Sequence, residues 1–157
     1  MDNQSKNIVA AIFMAGLVVG TLDLSAAMIQ TIIMGREPLK LMQYISSGMF
    51  GSRAFEGGLT YAVLGVVFHY FIAFVWTGIF FIVYPKIKNF AGNKIITGIV
   101  YGLFIWLIMN MVVVPLSKIP SRPFNLNNAL IGLGILIIAI GIPLSIMAHR
   151  FYLNKNI

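Results

Sequence analysis

The chain contains no cysteine and few charged residues, and both shortages limit what it can be. Without cysteine, disulfides, thiolate metal ligands and thiol nucleophiles are excluded. Charged residues make up 10% of the 157 residues, against roughly 25% in a soluble domain. Since 59% of the residues are hydrophobic, a soluble fold of this length cannot bury them all. We therefore expect a single domain whose solvent is the lipid bilayer.

Acidic residues are especially scarce, with four against eleven basic residues and a net charge of +7. In a soluble protein this balance would suggest nucleic acid. Here the basic residues lie in short segments between apolar stretches, where they contact lipid headgroups and set the orientation of the chain. The expected partner is the bilayer, and no nucleic-acid partner is predicted.

Four apolar stretches are long enough for spanning helices of about 20 residues or more. They cover residues 8–34, 59–84, 95–115 and 129–148. The sequence therefore predicts an all-α fold, an integral membrane four-helix bundle that forms one transmembrane domain over residues 1–157. Gly16 and Gly20, and again Gly98 and Gly102, form G-x-x-x-G motifs that allow helices to approach closely. Pro143 is expected to kink the fourth span.

Residues 38–50 predict a further short helix between the first two spans, because Pro38 is well placed to open a helix. On a helical wheel one arc is apolar and the other is polar. The apolar arc holds Leu41, Met42, Tyr44, Ile45 and Met49, and the polar arc holds Lys40, Gln43, Ser46 and Ser47. This pattern is typical of an interfacial or re-entrant helix. A lid packed on the bundle is an equal alternative.

Four spans place both termini and the loop around residues 85–94 on one side of the membrane, named side A, and the other two connections on side B. Side A carries six basic residues: Lys6, Lys86, Lys88, Lys94, Arg150 and Lys155. Side B carries five: Arg36, Lys40, Arg53, Lys118 and Arg122. The excess of basic residues on cytoplasmic loops therefore predicts that both termini are cytoplasmic.

Three strongly polar residues from three different spans fall at a common depth. Asp23 follows Ile8 by fifteen residues, Asn110 follows Ile95 by the same number, and His69 precedes Tyr84 by fifteen residues. At 1.5 Å per residue, each lies about 22 Å from side A. Because an ionised carboxylate is costly in hydrocarbon, Asp23 is expected to face the bundle interior and to find a partner there. His69 and Asn110 can donate hydrogen bonds to it.

We predict a polar pocket open to side B for a ligand or an ion, formed by Asp23, Arg53, Glu56, His69 and Asn110. Arg53 would reach down as a counter-charge if the second helix began near Ser52. The alternative is a buried hydrogen-bond network that only fixes helix packing. Arg53, Lys118 and Arg122 are candidate contacts for lipid headgroups.

No catalytic residue, metal site or cofactor is predicted. The two histidines cannot hold the same haem, because His149 lies at the side-A end of the fourth span and His69 is about 20 Å deeper. The chain has no H-E-x-x-H motif, phosphate-binding loop or dinucleotide fingerprint. An enzyme is therefore the less favoured interpretation.

Four phrases of the sequence resemble a known family of small bacterial inner-membrane proteins of unknown function. They are "GLVVGTLDLSAAMI", "LMQYISSGMFG…AFEGG", "LGVVFHYFIAF" and "MNMVVVPLSKIPSRPF", between Gly16 and Phe124. The pattern is similar to the YagU-like family, which is loosely associated with acid resistance. The resemblance implies a multi-pass protein of the bacterial cytoplasmic membrane with an unassigned role, and it brings no catalytic signature.

Three functional hypotheses follow. The first is ion, proton or small-solute handling through the pocket around Asp23, by a homo-oligomer since four helices leave little room for an enclosed pathway. The second is a non-catalytic accessory or scaffold subunit of a larger membrane complex. The third is a lipid-binding or lipid-modifying protein that uses the face of Arg53 and Arg122.

Overall fold

The computed structural model describes residues 3–87, 93–121, 123 and 125–153. Five helices contain most of these residues, and none of the described residues lies in a β-strand. The helices are α1 (Asn3–Ile33), α2 (Pro38–Phe50), α3 (Gly58–Ile87), α4 (Lys94–Leu116) and α5 (Leu126–Leu153). The prediction of an all-helical chain is confirmed.

Helices α1, α3, α4 and α5 are each long and apolar enough to cross a membrane. Large apolar side chains remain exposed along them, among them Ile33 (79% exposed), Phe71 (65%) and Ile138 (71%). Acyl chains match such surface, whereas water does not. The helices also extend past the predicted spans: α5 starts three residues before residue 129 and continues five residues past residue 148.

The tightly packed core occupies the half of the helices nearest side A. Helix α5 contacts α1, α3 and α4, while α1 also packs on α3. The core side chains come from all four long helices: Ala15, Val19, Trp76, Phe80, Phe81, Tyr84, Tyr101, Ile105, Ile140, Leu144 and Ala148. The half nearest side B contains fewer buried side chains, and the candidate site lies there.

Glycines allow α4 and α5 to cross with their backbones in contact. A Cβ added at Gly98 would lie 2.7 Å from the carbonyl oxygen of Gly141, and one at Gly102 would lie 2.7 Å from the Cα of Ile137. The G-x-x-x-G motif of α4 therefore packs directly on α5, as its mechanism requires. Gly16 and Gly20 likewise allow α1 to pack closely on α3, but their partners there are the rings of Phe74 and Tyr70 rather than backbone atoms.

Both α4 and α5 contain a π turn that ends two residues before a proline. The turns are Met109–Val113 and Leu136–Gly141, and the prolines are Pro115 and Pro143. A proline ring crowds the carbonyl four residues before it and supplies no N–H, and the wider π turn accommodates this loss. The distortion expected at Pro143 therefore takes the form of a π turn.

Helix α3 continues past residue 84, where the sequence predicted its end, and Pro85 lies inside it. The carbonyl of Phe81 has no N–H to accept from Pro85. The hydroxyl of Tyr152 donates to that carbonyl at 2.7 Å. The hydroxyl of Tyr84 also lies 2.9 Å from Nδ1 of His149. These two contacts fasten the end of α5 to the end of α3 at side A.

Helix α2 lies beside the first half of α3, and the face it turns to the protein is mostly polar. Gln43, Ser46 and Ser47 are almost completely buried, whereas Leu39 and Met49 are exposed. The amide nitrogen of Gln43 donates to the carbonyl of Gly58 at 3.0 Å. The division into arcs predicted by the wheel was only partly correct, because Met42 of the apolar arc is buried beside Gln43, Ser46 and Ser47, and Lys40 of the polar arc is exposed.

The crossing of α4 and α5 can be tested with one glycine substitution and a matched control. Gly141→Ala would place a Cβ against the carbonyl oxygen of Gly98 and 3.1 Å from the nitrogen of Gly102. We expect it to lower the free energy of unfolding in detergent by about 1–3 kcal/mol. Gly134→Ala, in the same helix, meets no atom within 4 Å and should not destabilise. Equal stability of the two variants would contradict the close crossing.

Candidate functional site

Asp23 of α1 and His69 of α3 face each other across the interface of these two helices. Oδ2 of Asp23 lies 4.0 Å from Nδ1 of His69, and the side chains are 17% and 12% exposed, respectively. The contact is possible because α1 is narrow here: a Cβ at Gly20 would lie 3.1 Å from the ring of Tyr70. The hydroxyls of Thr21 and Tyr70 lie 2.8 Å apart and join the same two helices.

The hydrogen bonds of His69 indicate which of its nitrogens carries a proton. Nε2 lies 2.8 Å from the carbonyl oxygen of Gly20. A carbonyl oxygen only accepts, so Nε2 donates, and in the neutral ring Nδ1 then has a lone pair toward Asp23. A lone pair and a carboxylate oxygen repel each other unless a proton or a cation lies between them. The two atoms lie 4.0 Å apart, too far for a direct hydrogen bond, so the gap between them is suited to one small cation, or to one proton if the side chains move closer.

A polar cavity of about 410 Å³ starts at Asp23 and extends toward side B. One face of α1, residues 23, 27 and 30, forms one wall. The remaining lining residues come from α2, α4, α5 and the segment that precedes α5: Tyr44, Trp106, Asn110, Pro123, Asn125, Asn128, Ala129, Gly132, Ile135 and Leu136. Because Pro123 and Asn125 lie outside the helices and are exposed, the cavity connects Asp23 with the side-B surface.

The lining of this cavity favours positively charged or neutral polar solutes. Among the described lining residues, Asp23 is the one charged side chain. Four amides accompany it, those of Gln30, Asn110, Asn125 and Asn128. Amide and carboxylate oxygens are ligands for hard cations, and amide nitrogens donate to neutral polar groups. No group of three or more residues that could hold a metal ion occurs in the part of the chain that the structure describes.

Asn110 shares the cavity with Asp23, but its amide nitrogen is engaged elsewhere. It donates to the carbonyl oxygen of Trp106 at 2.9 Å, one turn earlier on α4. The expected hydrogen bond from Asn110 to Asp23 is therefore replaced by a bond within the helix. Asn110 also lies in the π turn of α4, a type of distortion that is frequent at functional sites.

The basic and acidic residues predicted on side B lie away from the cavity. Arg53 is exposed in a short helical turn, Gly51–Phe55, and Glu56 follows it, also exposed. Helix α3 begins at Gly58, so Arg53 does not lie on it, and neither residue lines the cavity. Lys118 is exposed while its backbone N–H donates to Gly48 at 2.9 Å. Arg122 falls outside the described residues.

Five polar lining residues were not predicted from the sequence: Gln30, Tyr44, Trp106, Asn125 and Asn128. Gln30 carried a usable signal, because it follows Asp23 by seven residues and so lies on the same helix face. Asn125 and Asn128 lie at the start of the fourth span, where an asparagine is ordinarily explained as a helix cap. Asn125 is indeed the cap, since its side chain accepts from the N–H of Asn128 at 3.0 Å.

Taken together, the four apolar helices are consistent with a multi-pass membrane protein, and the cavity gives it a polar site that opens toward one side. No family model matches the chain, and neither the curated proteins nor the solved structures give a significant match. The likeness to the YagU-like family therefore stays a prediction.

The Asp23–His69 contact can be measured with a double-mutant cycle. We expect Asp23→Asn and His69→Gln to be non-additive, with a coupling free energy of about 0.5–3 kcal/mol, because each residue is the other's partner at 4.0 Å. The measurement is the free energy of unfolding in detergent for the two single variants and the double variant.

A matched control cycle pairs Asp23→Asn with Tyr84→Phe, which removes the hydroxyl that contacts His149. These two residues lie in opposite halves of the bundle and should be additive within about 0.5 kcal/mol. Additivity of the Asp23 and His69 variants as well would show that the two side chains do not interact.

Proposed function

We propose that the protein takes up a proton or a small cation from side B through the polar cavity, with Asp23 and His69 as its binding pair. The proposal places α1, α3, α4 and α5 in the membrane as a four-helix bundle. The observation that carries it is the position of Asp23: its carboxylate lines the deep end of a cavity whose described walls carry no other charge. The imidazole ring of His69 does not line the cavity and lies 4.0 Å behind the carboxylate, on α3. Ionisable residues inside a membrane usually mark ion or proton paths.

The titratable groups around the pair are few. Tyr70 neighbours His69 on α3, with its ring 5.6 Å from the imidazole ring. Tyr44 of α2 lines the cavity. The described part of α4 and α5 contributes only amides, Trp106 and apolar groups to the lining. Among the described residues that line the cavity, Asp23 is therefore the one carboxyl group that can bind a proton or a cation.

An apolar barrier separates the pair from side A, which favours a carrier over an open pore. Val19 and Ala15, one and two turns below Asp23 on α1, are completely buried. They belong to the core that Phe80 and Leu144 also form. A solute bound at Asp23 would reach side A only after the helices rearranged. The π turns of α4 and α5 are suitable hinges, because both helices line the cavity and the regular hydrogen-bond pattern of the α-helix is interrupted at these turns.

Helix α2 is proposed to enter the side-B half of the membrane. Phe50 contacts the rings of both Tyr61 and Phe68 at 5.2 and 6.0 Å, and Phe68 lies about 15 Å along α3 from its start. Helix α2 buries Gln43, Ser46 and Ser47 and exposes Leu39 and Met49, which fits an environment of acyl chains better than one of water. Tyr44 would then form the side-B wall of the cavity.

The remaining parts of the proposal concern the setting of the protein. We place it in a bacterial cytoplasmic membrane as a member of the YagU-like family, with both termini cytoplasmic and as a homo-oligomer, and we assign it no catalytic reaction. The charge distribution, the resemblance and the small number of helices support these assignments.

The topology can be tested directly because the native chain contains no cysteine. A membrane-impermeant maleimide should label Lys118→Cys and Lys94→Cys from opposite sides of oriented vesicles. Arg36→Cys should be labelled, while Met49→Cys should not, since acyl chains would cover it. Labelling of Met49→Cys as fast as Arg36→Cys would contradict the membrane position of α2.

The transport hypothesis predicts that Asp23→Asn lowers proton or cation flux into proteoliposomes by more than tenfold, because the carboxylate is the one described charge in the cavity. Flux is measured with a pH-sensitive dye and with a cation-sensitive dye in the vesicle lumen. Glu37→Gln, which neutralises an exposed carboxylate at the start of α2, is the control and should retain full flux.

Two further variants test whether the solute passes through the cavity, rather than whether it binds at Asp23 and His69. Asn128→Leu should lower the flux, whereas Asn127→Leu should not, because Asn128 lines the cavity and its neighbour does not. The flux of Arg53→Ala and of Glu56→Gln measures whether these two exposed residues contribute to solute binding, as the sequence predicted. Flux that is unchanged in both Asp23→Asn and Asn128→Leu would overturn the transport hypothesis.

A non-catalytic scaffold is the second candidate. The specific observation in its favour is that Nε2 of His69 and the hydroxyl of Thr21 already join α1 to α3 without a solute. Under this hypothesis Asp23→Asn changes the stability of the protein or its binding to a partner. The flux into proteoliposomes then equals that into empty vesicles for the wild type and for every variant.

A further inference from the structure

A second, apolar groove lies between α3 and α4 near side A. It has a volume of about 650 Å³ and is lined by Ile79, Val83, Ile87, Ile96, Thr97, Val100, Tyr101 and Phe104. The hydroxyl of Tyr101 donates to the carbonyl of Trp76 at 2.6 Å, so it offers the groove little polarity. The groove is therefore suited to a hydrocarbon chain that runs along the helices.

Two lysines stand at the side-A end of this groove, one on each helix. Lys86 precedes the lining residue Ile87, and Lys94 lies two residues before Ile96. Both are exposed. The start of α4 is held in place, because the hydroxyl of Ser145 donates to the carbonyl of Lys94 at 2.7 Å.

The described part of side A has no carboxylate to balance these lysines. The acidic residues in the described part of the chain are Asp23, Glu37 and Glu56, and all belong to the half nearest side B. Lys94 also begins α4, where the free N–H groups of the first turn add partial positive charge. The groove therefore combines an apolar wall with a basic rim, which is the chemistry of a basic pocket between helices that binds anionic headgroups.

We propose that this groove binds an anionic phospholipid, with one acyl chain between α3 and α4 and its phosphate between Lys86 and Lys94. A helix from a second copy of the chain is a poorer occupant, because the copies would bring equally basic ends together if they packed in parallel. The site lies at the opposite end of the bundle from Asp23 and does not depend on the proposed transport function.

The test is lipid retention, measured by native mass spectrometry of the full chain purified from mixed phosphatidylglycerol and phosphatidylcholine. The wild type should retain phosphatidylglycerol, and Lys86→Gln combined with Lys94→Gln should weaken this binding by roughly thirtyfold. The control removes the same two charges at side B, Lys40→Gln with Lys118→Gln, and should leave the retention unchanged.

A third variant separates the contribution of the apolar groove to lipid binding from that of the two lysines. Val100→Trp fills the apolar groove while both lysines remain, and it should reduce the binding of phosphatidylglycerol as well. Equal retention in the Lys86/Lys94 and the Lys40/Lys118 variants would overturn the proposal. So would a dimer that carries no phospholipid and that Val100→Trp converts to a monomer, because a second copy would then be the occupant.

Discussion

A carboxylate held among apolar helices needs a partner, and Asp23 faces His69 at 4.0 Å across the interface of α1 and α3. The side-B half of the molecule is arranged around that contact. Gly20 keeps α1 narrow enough for α3 to approach, and its own carbonyl orients the imidazole ring. Because that hydrogen bond commits Nε2, it is Nδ1 that faces the carboxylate of Asp23. The same few atoms therefore join two helices and create the site.

The half of the molecule near side A and the half near side B differ in how their side chains pack. Near side A, buried rings and backbone contacts between glycines leave no polar space in the core, and the tyrosine hydroxyls are used to satisfy carbonyls of α3. Near side B, amides from α1, α4 and α5 surround a cavity. A tightly packed half thus lies next to a half that contains a polar cavity.

Much of the site could be predicted from residue counts, because the rise of a helix is constant. Asp23 and His69 were expected at one depth on this basis, and the structure places them 4.0 Å apart. Arg53 could not be placed this way, because its position depends on where α3 begins. That start is Gly58, whose φ of +56° is a conformation suited to glycine. Asn125 was missed since the path of a connecting segment depends on tertiary contacts rather than on periodicity.

Helix α2 shows a similar limit. A wheel divides its residues into arcs, but the surroundings decide which arc turns inward. In water the polar arc would face outward, whereas Gln43 and Ser46 are buried here. Packing on α3 makes the choice, because the amide of Gln43 donates to the carbonyl of Gly58 there, and a wheel contains no such tertiary contact.

The π turns of α4 and α5 affect how helix faces are assigned from a sequence. Each turn is equivalent to one extra residue inserted into an otherwise regular helix, which rotates everything after it by about 100°. A face assigned from Lys94 onward therefore no longer applies to the residues after Val113. A related chain that lacks this residue would turn residues 114–116 of α4, and the connection that follows them, to a different side of the helix, so an alignment with a single-residue gap here would indicate a changed helix face rather than a neutral deletion.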